Sequence, residues 1–197
     1  MGAQVSLLKK CVTNTVMFSY YIQPKVIPNL LTEYEIEYIK KESINKFMPS
    51  YIGDNPHTIR KSETAFLNSN DPILNIVIKK CVSLTKKPFE NCEQLQVLRY
   101  REGGYFKPHQ DSPYESENKR LYTFIIALND DYEGGETSFP NLGIKFKLKK
   151  GDAVFFHNLD NHEQCTSMAL HAGEPVKSGE KWGVTLWVRQ DACRHGV

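Results

Sequence analysis

Leu98–Asp111 reads LRYREGGYFKPHQD, and the reading of this stretch decides the fold. Leu98-Arg99-Tyr100 closes one β-rich run, Gly103-Gly104 interrupts it, and Tyr105 to His109 begins another, so a strand, a turn and a strand are expected. His109 and Asp111 stand two positions apart. On extended backbone such residues project from one face, which brings an imidazole and a carboxylate to the same spot. His171, in LHAGEPV, would complete two histidines and one carboxylate, a facial donor set that suits a divalent iron centre with coordination positions left open. Lys181 opens a further strand-like run, KWGVTLWVR, and offers a cation for an anionic group held at such a centre.

Around this stretch the pattern is one of short β-rich runs. They are QLQVLRY, YFKPH, RLYTFIIAL, IKFKLKK, DAVFFHNL, CTSMALH and KWGVTLWVR, separated by glycine turns that include Gly134-Gly135. Ile144-Lys145-Phe146-Lys147-Leu148 alternates apolar and polar residues, as a half-buried strand does. Short strands at this spacing point to a double-sheet jelly roll or a barrel. The first half reads as helical scaffold. Thr32 and Glu35 form a capping box ahead of YEIEYIKKESINKFM, with Tyr34/Tyr38 and Ile36/Ile39 at helical spacing and Pro49 as the stop. Asp71 caps a second helix with Pro72 in its first turn. It is expected to run through ILNIVIKKCVSL towards Pro88, with Ile73, Val77, Cys81 and Leu84 as its apolar stripe. HTIRKSETAFL, between the helices, reads as extended.

A chain of 197 residues makes one well-cored domain. Lys plus Arg number 25 against 23 for Asp plus Glu, so the formal charge is only +2 and no nucleic-acid partner is expected. Cys11, Cys81, Cys92, Cys165 and Cys193 are odd in number and scattered, which argues against a disulfide framework and for a reducing compartment. No apolar run reaches the roughly 18 residues of a spanning helix. The segment Cys11 to Ile22 is too interrupted for a signal-peptide core, so the expected location is the cytoplasm or the cytosolic face of a membrane rather than outside the cell. Met1-Gly2-Ala3-Gln4-Val5-Ser6 fits the N-myristoylation pattern at Gly2, and Lys9, Lys10 and Cys11 could add the second signal that a stable anchor needs. Residues 1–22 therefore read as an N-terminal segment suited to an acylated membrane anchor, and 23–197 as a single catalytic domain.

Five blocks carry a resemblance. RKSETAFL, QVLRYREGGYFKPHQD, LNDDYEGGETSFP, LKKGDAVFFHNL and LHAGEPVKSGEKW, in that order, resemble the prolyl 4-hydroxylase branch of the 2-oxoglutarate/Fe(II)-dependent oxygenases between Pro28 and Arg189. The resemblance implies an α+β fold, a double-stranded β-helix (jelly-roll) core with N-terminal helices packed on the major sheet. It implies His109, Asp111 and His171 as iron ligands and Lys181 as the partner of the distal (C5) carboxylate of 2-oxoglutarate. Lysyl hydroxylases and alkylated-base demethylases resemble one another in using arginine there, and the two cations are not interchangeable. Tyr100 and Thr123 match positions whose hydroxyls line the co-substrate pocket. Tyr105 and Trp182 are candidates for shaping a substrate pocket. The implied cofactors are Fe(II), 2-oxoglutarate and O₂, with ascorbate as reductant. The implied substrate is a proline in a protein or peptide, as for procollagen-proline 4-dioxygenases, with release of succinate and CO₂. His57, His157, His162 and His195 receive no role, and Cys165 reads as a small buried hydrophobe.

Other readings fit parts of the pattern. One is a related oxygenase acting on another protein side chain or a small molecule. Another is a catalytically silent, membrane-associated binding module of the same fold. A zinc hydrolase could use the same three donors, but that scheme leaves Lys181 without a task.

Overall fold

The structure, a computed structural model, describes residues 20–50, 59–68, 70–112 and 116–193. Strand β1 (Lys25–Ile27) leads into helix α1 (Glu33–Ser43). The capping box forms as its sequence predicts: Glu35 N donates to Thr32 Oγ1 at 3.3 Å, and Thr32 N donates to Glu35 Oε2 at 2.8 Å. The helix is shorter than KESINKFM suggested. It ends at Ser43, Phe47 turns to meet the Trp182 ring edge-on at 5.0 Å, and Met48–Pro49 extend as β2. That ring contact holds the chain away from helical register before Pro49 is reached.

Strands β3 (Arg60–Lys61) and β4 (Glu63–Leu67) precede helix α2 (Pro72–Val82). Asp71 Oδ1 caps α2 by accepting from the amides of Ile73 and Leu74 at 2.8 and 3.0 Å. Its buried stripe is Leu74, Val77, Ile78, Cys81 and Val82, so Ile73 falls to the margin and Leu84 lies beyond the helix, exposed.

The remaining elements are strands: β5 (Leu95–Tyr100), β6 (Tyr105–His109), β7 (Arg120–Ala127), β8 (Glu133–Gly134), β9 (Thr137–Phe139), β10 (Ile144–Phe146), β11 (Ala153–His157), β12 (His171–Gly173), β13 (Val176–Ser178) and β14 (Lys181–Arg189). CTSMALH is not a continuous strand. Ser167–Ala169 make a single 3₁₀ turn, with Thr166 Oγ1 accepting from the Met168 amide, and extended pairing begins only at His171.

Among the described residues the strands form an antiparallel major sheet, β1-β11-β7-β14-β5-β4-β2, an antiparallel minor sheet, β10-β9-β12-β6-β3, and a short β8–β13 ribbon. This is the double-sheet jelly roll expected from the strand spacing. Alternation along β14 gives the major sheet two different faces. Trp182, Val184, Leu186 and Val188 join Ile36 and Ile39 of α1, Val77 and Ile78 of α2, and Phe124 and Ile126 of β7 in one buried cluster. Each such side chain contributes about 1.5–3 kcal/mol when fully buried, more than the roughly 1 kcal/mol of a helix cap, so this face is what attaches the helices. The opposite residues, Lys181, Gly183, Thr185 and Trp187, line a cleft towards the minor sheet. Ala127, Phe139, Leu148, Val154 and Phe156 seal the two sheets together beside it. No helix among the described residues is long and apolar enough to cross a membrane, and Cys81 and Cys165 are free thiols.

Candidate active site

The pairing of β6 with β12 builds the metal-binding geometry. His171 lies directly across from His109, while Gly173 lies across from Phe106. Two steps on β12 therefore span three on β6, which is a β-bulge, and the extra residue brings the Phe106 and His109 side chains to one face. Their rings stack with centroids 3.5 Å apart, and the His109 and His171 rings are 4.3 Å apart. Asp111 follows the end of β6 with its carboxylate beneath both imidazoles: Oδ1 is 3.6 Å from His109 Nε2, and Oδ2 is 3.6 Å from His171 Nε2.

Each imidazole is oriented by its other nitrogen. His109 Nδ1 lies 2.9 Å from the Lys107 carbonyl and His171 Nδ1 lies 3.1 Å from that of Ala169. A carbonyl can only accept, so both Nδ1 atoms carry the proton and both Nε2 atoms present a lone pair. Burial, with the His171 ring close by, pushes the His109 imidazole down to about 4 and keeps it neutral near pH 7. Burial alone would raise the Asp111 carboxyl, but the two neighbouring imidazoles hold it below the usual carboxylate range. The result is two imidazole nitrogens and one carboxylate, with ligand atoms all within 4.8 Å of one another. That donor chemistry fits a divalent cation such as Fe(II).

The triad lies in a cleft of about 520 Å³ that also touches Tyr100, Thr137 and Lys181. Lys181 is the register partner of Tyr100, and its Nζ sits 5.5 Å from that ring while donating to the Gly135 carbonyl at 2.7 Å. Burial lowers the Lys181 ammonium to about 8; Lys147 adds to the effect and Glu136 opposes it. Gly135 has φ +66°, and a Cβ there would stand 2.9 Å from the Tyr132 ring and 3.2 Å from the Lys181 side chain. Glycine is therefore required twice over at this turn, by its backbone angle and by the closeness of the lysine.

The structure brings His109, Asp111, His171, Lys181 and Tyr100 together in this cleft. Thr123 lies elsewhere: it is fully buried behind the triad and donates its hydroxyl to Asp111 Oδ2 at 2.8 Å. The threonines that line the cleft with Lys181 are Thr137, in the GGETSF block, and Thr185. Tyr105 pairs with Lys61 of β3, and the aromatic ring lining the cleft from β6 is Phe106, because the bulge shifts the alternation by one residue. Trp182 faces the helices, one residue out of phase with Lys181; Trp187 is the indole on the cleft side. Arg60 of β3 also lines the cleft, and nothing in its local sequence marks it for that place. It is buried, with Nε donating to Ser62 at 2.7 Å, its guanidinium 4.7 Å above the Phe106 ring and Nη2 without a partner among the described residues. Gln96 and Thr185 are cross-strand partners that also line the cleft. Cys165 is half-buried against the Ser112 carbonyl, His157 packs edge-on against Tyr122, and His162 is exposed. Gly2, Cys11, His57 and His195 lie outside the described residues.

Comparison with known proteins agrees with this geometry. The family model described as the 2OG-Fe(II) oxygenase superfamily matches residues 95–189. A protein of Acanthamoeba polyphaga mimivirus assigned as a prolyl 4-hydroxylase is 35% identical over 182 residues, covering 86% of this chain and 75% of the relative. Prolyl 4-hydroxylase 1 of Arabidopsis thaliana is 33% identical, covering 85% of this chain and 69% of its own. Among solved structures, the viral collagen prolyl hydroxylase of Paramecium Bursaria Chlorella virus-1, in its 2OG complex, superposes with a TM-score of 0.71 at 29% identity, covering 84% of this chain and 95% of that one. On the strength of these relatives and of the donor set at the crossing of β6 and β12, this chain belongs to the prolyl 4-hydroxylase family of the 2-oxoglutarate/Fe(II)-dependent dioxygenases.

Proposed function

We propose that this dioxygenase hydroxylates a proline within a peptide or protein, with 2-oxoglutarate spanning the cleft from the triad to Lys181. The observation that carries the reading is the placing of three metal donors and one buried lysine in a single cleft. His109, Asp111 and His171 would hold Fe(II), which when bound supplies the redox chemistry joining O₂ reduction and 2-oxoglutarate decarboxylation to oxygen insertion. The overall balance is one 2-oxoglutarate, one O₂ and one substrate C–H giving succinate, CO₂ and an alcohol.

Lys181 would fix the far carboxylate, with Thr137 and Tyr100 as hydroxyl donors beside it. A ferrous ion, one carboxylate, a dianionic co-substrate and one ammonium are together neutral, which is the condition for burying them as a group. Phe106 and Trp187 wall the cleft and keep water from the metal side, and Arg60 Nη2 can donate to a carbonyl of an incoming peptide.

The relatives support the substrate reading, since their names are those of prolyl hydroxylases, and one solved neighbour of similar fold is in complex with a hypoxia inducible factor peptide fragment. The test is incubation with Fe(II), 2-oxoglutarate, ascorbate as reductant and a proline-rich peptide. A mass gain of one oxygen on proline, matched by succinate and abolished in His171→Ala, is expected. Succinate formation with no modified proline in any peptide offered would move the substrate to another side chain or a small molecule. We also propose that Gly2 is myristoylated and tethers the enzyme to a cytosolic membrane face, on the evidence of the MGAQVS pattern. An unacylated Gly2, by mass spectrometry of protein made in eukaryotic cells, would refute that tether.

A further inference from the structure

We infer that Thr123 and Asn158 are positioning residues for the metal site, forming a one-way hydrogen-bond relay that decides which oxygen of Asp111 is offered to the ion. The inference rests on the metal reading above and extends it to two residues outside the cleft. Thr123 Oγ1 is 2.8 Å from Asp111 Oδ2, and Asn158 Nδ2 is 2.9 Å from Thr123 Oγ1. All three side chains are buried, Thr123 completely.

The direction of the relay follows from what each group can do. An ionised carboxylate only accepts, so the threonine must spend its single proton on Asp111. Its oxygen then has only lone pairs left, and the amide next to it must present Nδ2. Asn158 Oδ1 is left buried without a partner among the described residues, the cost of holding that orientation. The strand ladder fixes all of this. Thr123 is the register partner of Phe156 on β11 and of Trp187 on β14, and Asn158 is tied by its own amide to the Leu121 carbonyl at 2.9 Å.

The consequence is a carboxylate that cannot rotate freely. With one lone pair of Oδ2 occupied, Oδ1, on the His109 side, is the atom free to bind the metal through a single oxygen. Trp187 Nε1 is buried on the same carboxylate and helps to keep Asp111 ionised, but among the described residues it makes no hydrogen bond of good geometry, so the short contact to Asp111 Oδ2 is that of Thr123. Thr123 therefore acts on the metal through Asp111 rather than on the co-substrate.

The experiment uses Co(II) as the probe, which gives d–d absorption and needs no turnover. The full chain and its Thr123→Val, Thr123→Ser and Asn158→Leu variants are titrated by calorimetry and visible spectroscopy, and the KM for 2-oxoglutarate is measured with metal saturating. Thr123→Val should weaken Co(II) binding roughly 10–100-fold and shift the d–d bands. Thr123→Ser should restore both, and Asn158→Leu should give a smaller loss in the same direction. The KM for 2-oxoglutarate should stay within about twofold of wild type, because the hydroxyl does not reach the cleft. Wild-type affinity and spectrum in Thr123→Val would overturn the relay, as would a raised KM with unchanged metal binding. Should Thr123→Val fold poorly, Asn158→Leu carries the test, since it removes the outer link and leaves the hydroxyl in place. Failure of the wild-type chain to bind Co(II) at all would overturn the metal reading itself, a result distinct from any variant difference.

Discussion

Lys181 gives the co-substrate site an upper pH limit that can be measured. Its ammonium is pushed down to about 8 by burial, yet it must be charged to hold a carboxylate. Below about 8 the free enzyme already carries the proton, so 2-oxoglutarate binds without proton uptake. Above it, binding must draw a proton from solution, which costs about 1.4 kcal/mol for each further pH unit. The dissociation constant should therefore be nearly flat up to about pH 7.5, rise roughly fivefold between about pH 8 and about pH 9, and approach a tenfold rise per unit above that. Calorimetric titration of the Co(II)-loaded enzyme with 2-oxoglutarate reads this without turnover. In Lys181→Arg the guanidinium stays charged throughout the range, so its binding should be weaker in geometry but level in pH. A level profile in the wild type up to about pH 9.5, or the same slope in Lys181→Arg, would refute the assignment of Lys181 to the carboxylate.

The same lysine should act in the opposite sense on folding of the metal-free, ligand-free protein. Its folded value is about 8 and its ordinary value 10.5, so between the two the unfolded chain binds more protons and stability rises with pH. The penalty is fully present below about pH 8. Its relief, on the order of 3 kcal/mol, should appear as a steeper rise of the denaturation midpoint in wild type than in Lys181→Met, and parallel profiles would contradict burial of the charge. Gly135→Ala should raise the KM for 2-oxoglutarate on the order of tenfold by displacing Lys181, with Co(II) affinity unchanged. Thr32→Ala should cost about 1 kcal/mol and lower the melting temperature by roughly 2–4 °C, leaving kcat as it was.

The metal ligands were legible because their chemistry is written in residue type and spacing. His109 and Asp111 declare a shared face, and the glycine turn before them declares the strand pair. The helix starts were legible for a similar reason: Thr32/Glu35 and Asp71-Pro72 act through neighbours a few residues away. What the sequence hid depends on distant pairing. Nothing local to YFKPH marks the bulge on β6, yet that one extra residue replaces Tyr105 by Phe106 in the cleft. Thr123 and Thr137 are both strand threonines, and only the stacking of the sheets puts one behind Asp111 and the other beside Lys181. Trp182 and Trp187 could have been separated on paper, since an odd and an even position on one strand cannot share a face. The end of α1 depended on Phe47 finding Trp182, a contact more than a hundred residues away along the chain.

The direct opposition of His109 and His171 across the β6–β12 ladder would also make an ion held there a clamp between two edges of backbone. Were β12 to slip by one residue, His171 would turn to the other side and the donor set would dissolve. An ion can thus enter only a correctly zipped ladder, and once there it opposes unzipping. Iron scarcity would then loosen the middle of the minor sheet before it touched the helices, and backbone amide exchange on β12 would be where a cell's iron supply registers first.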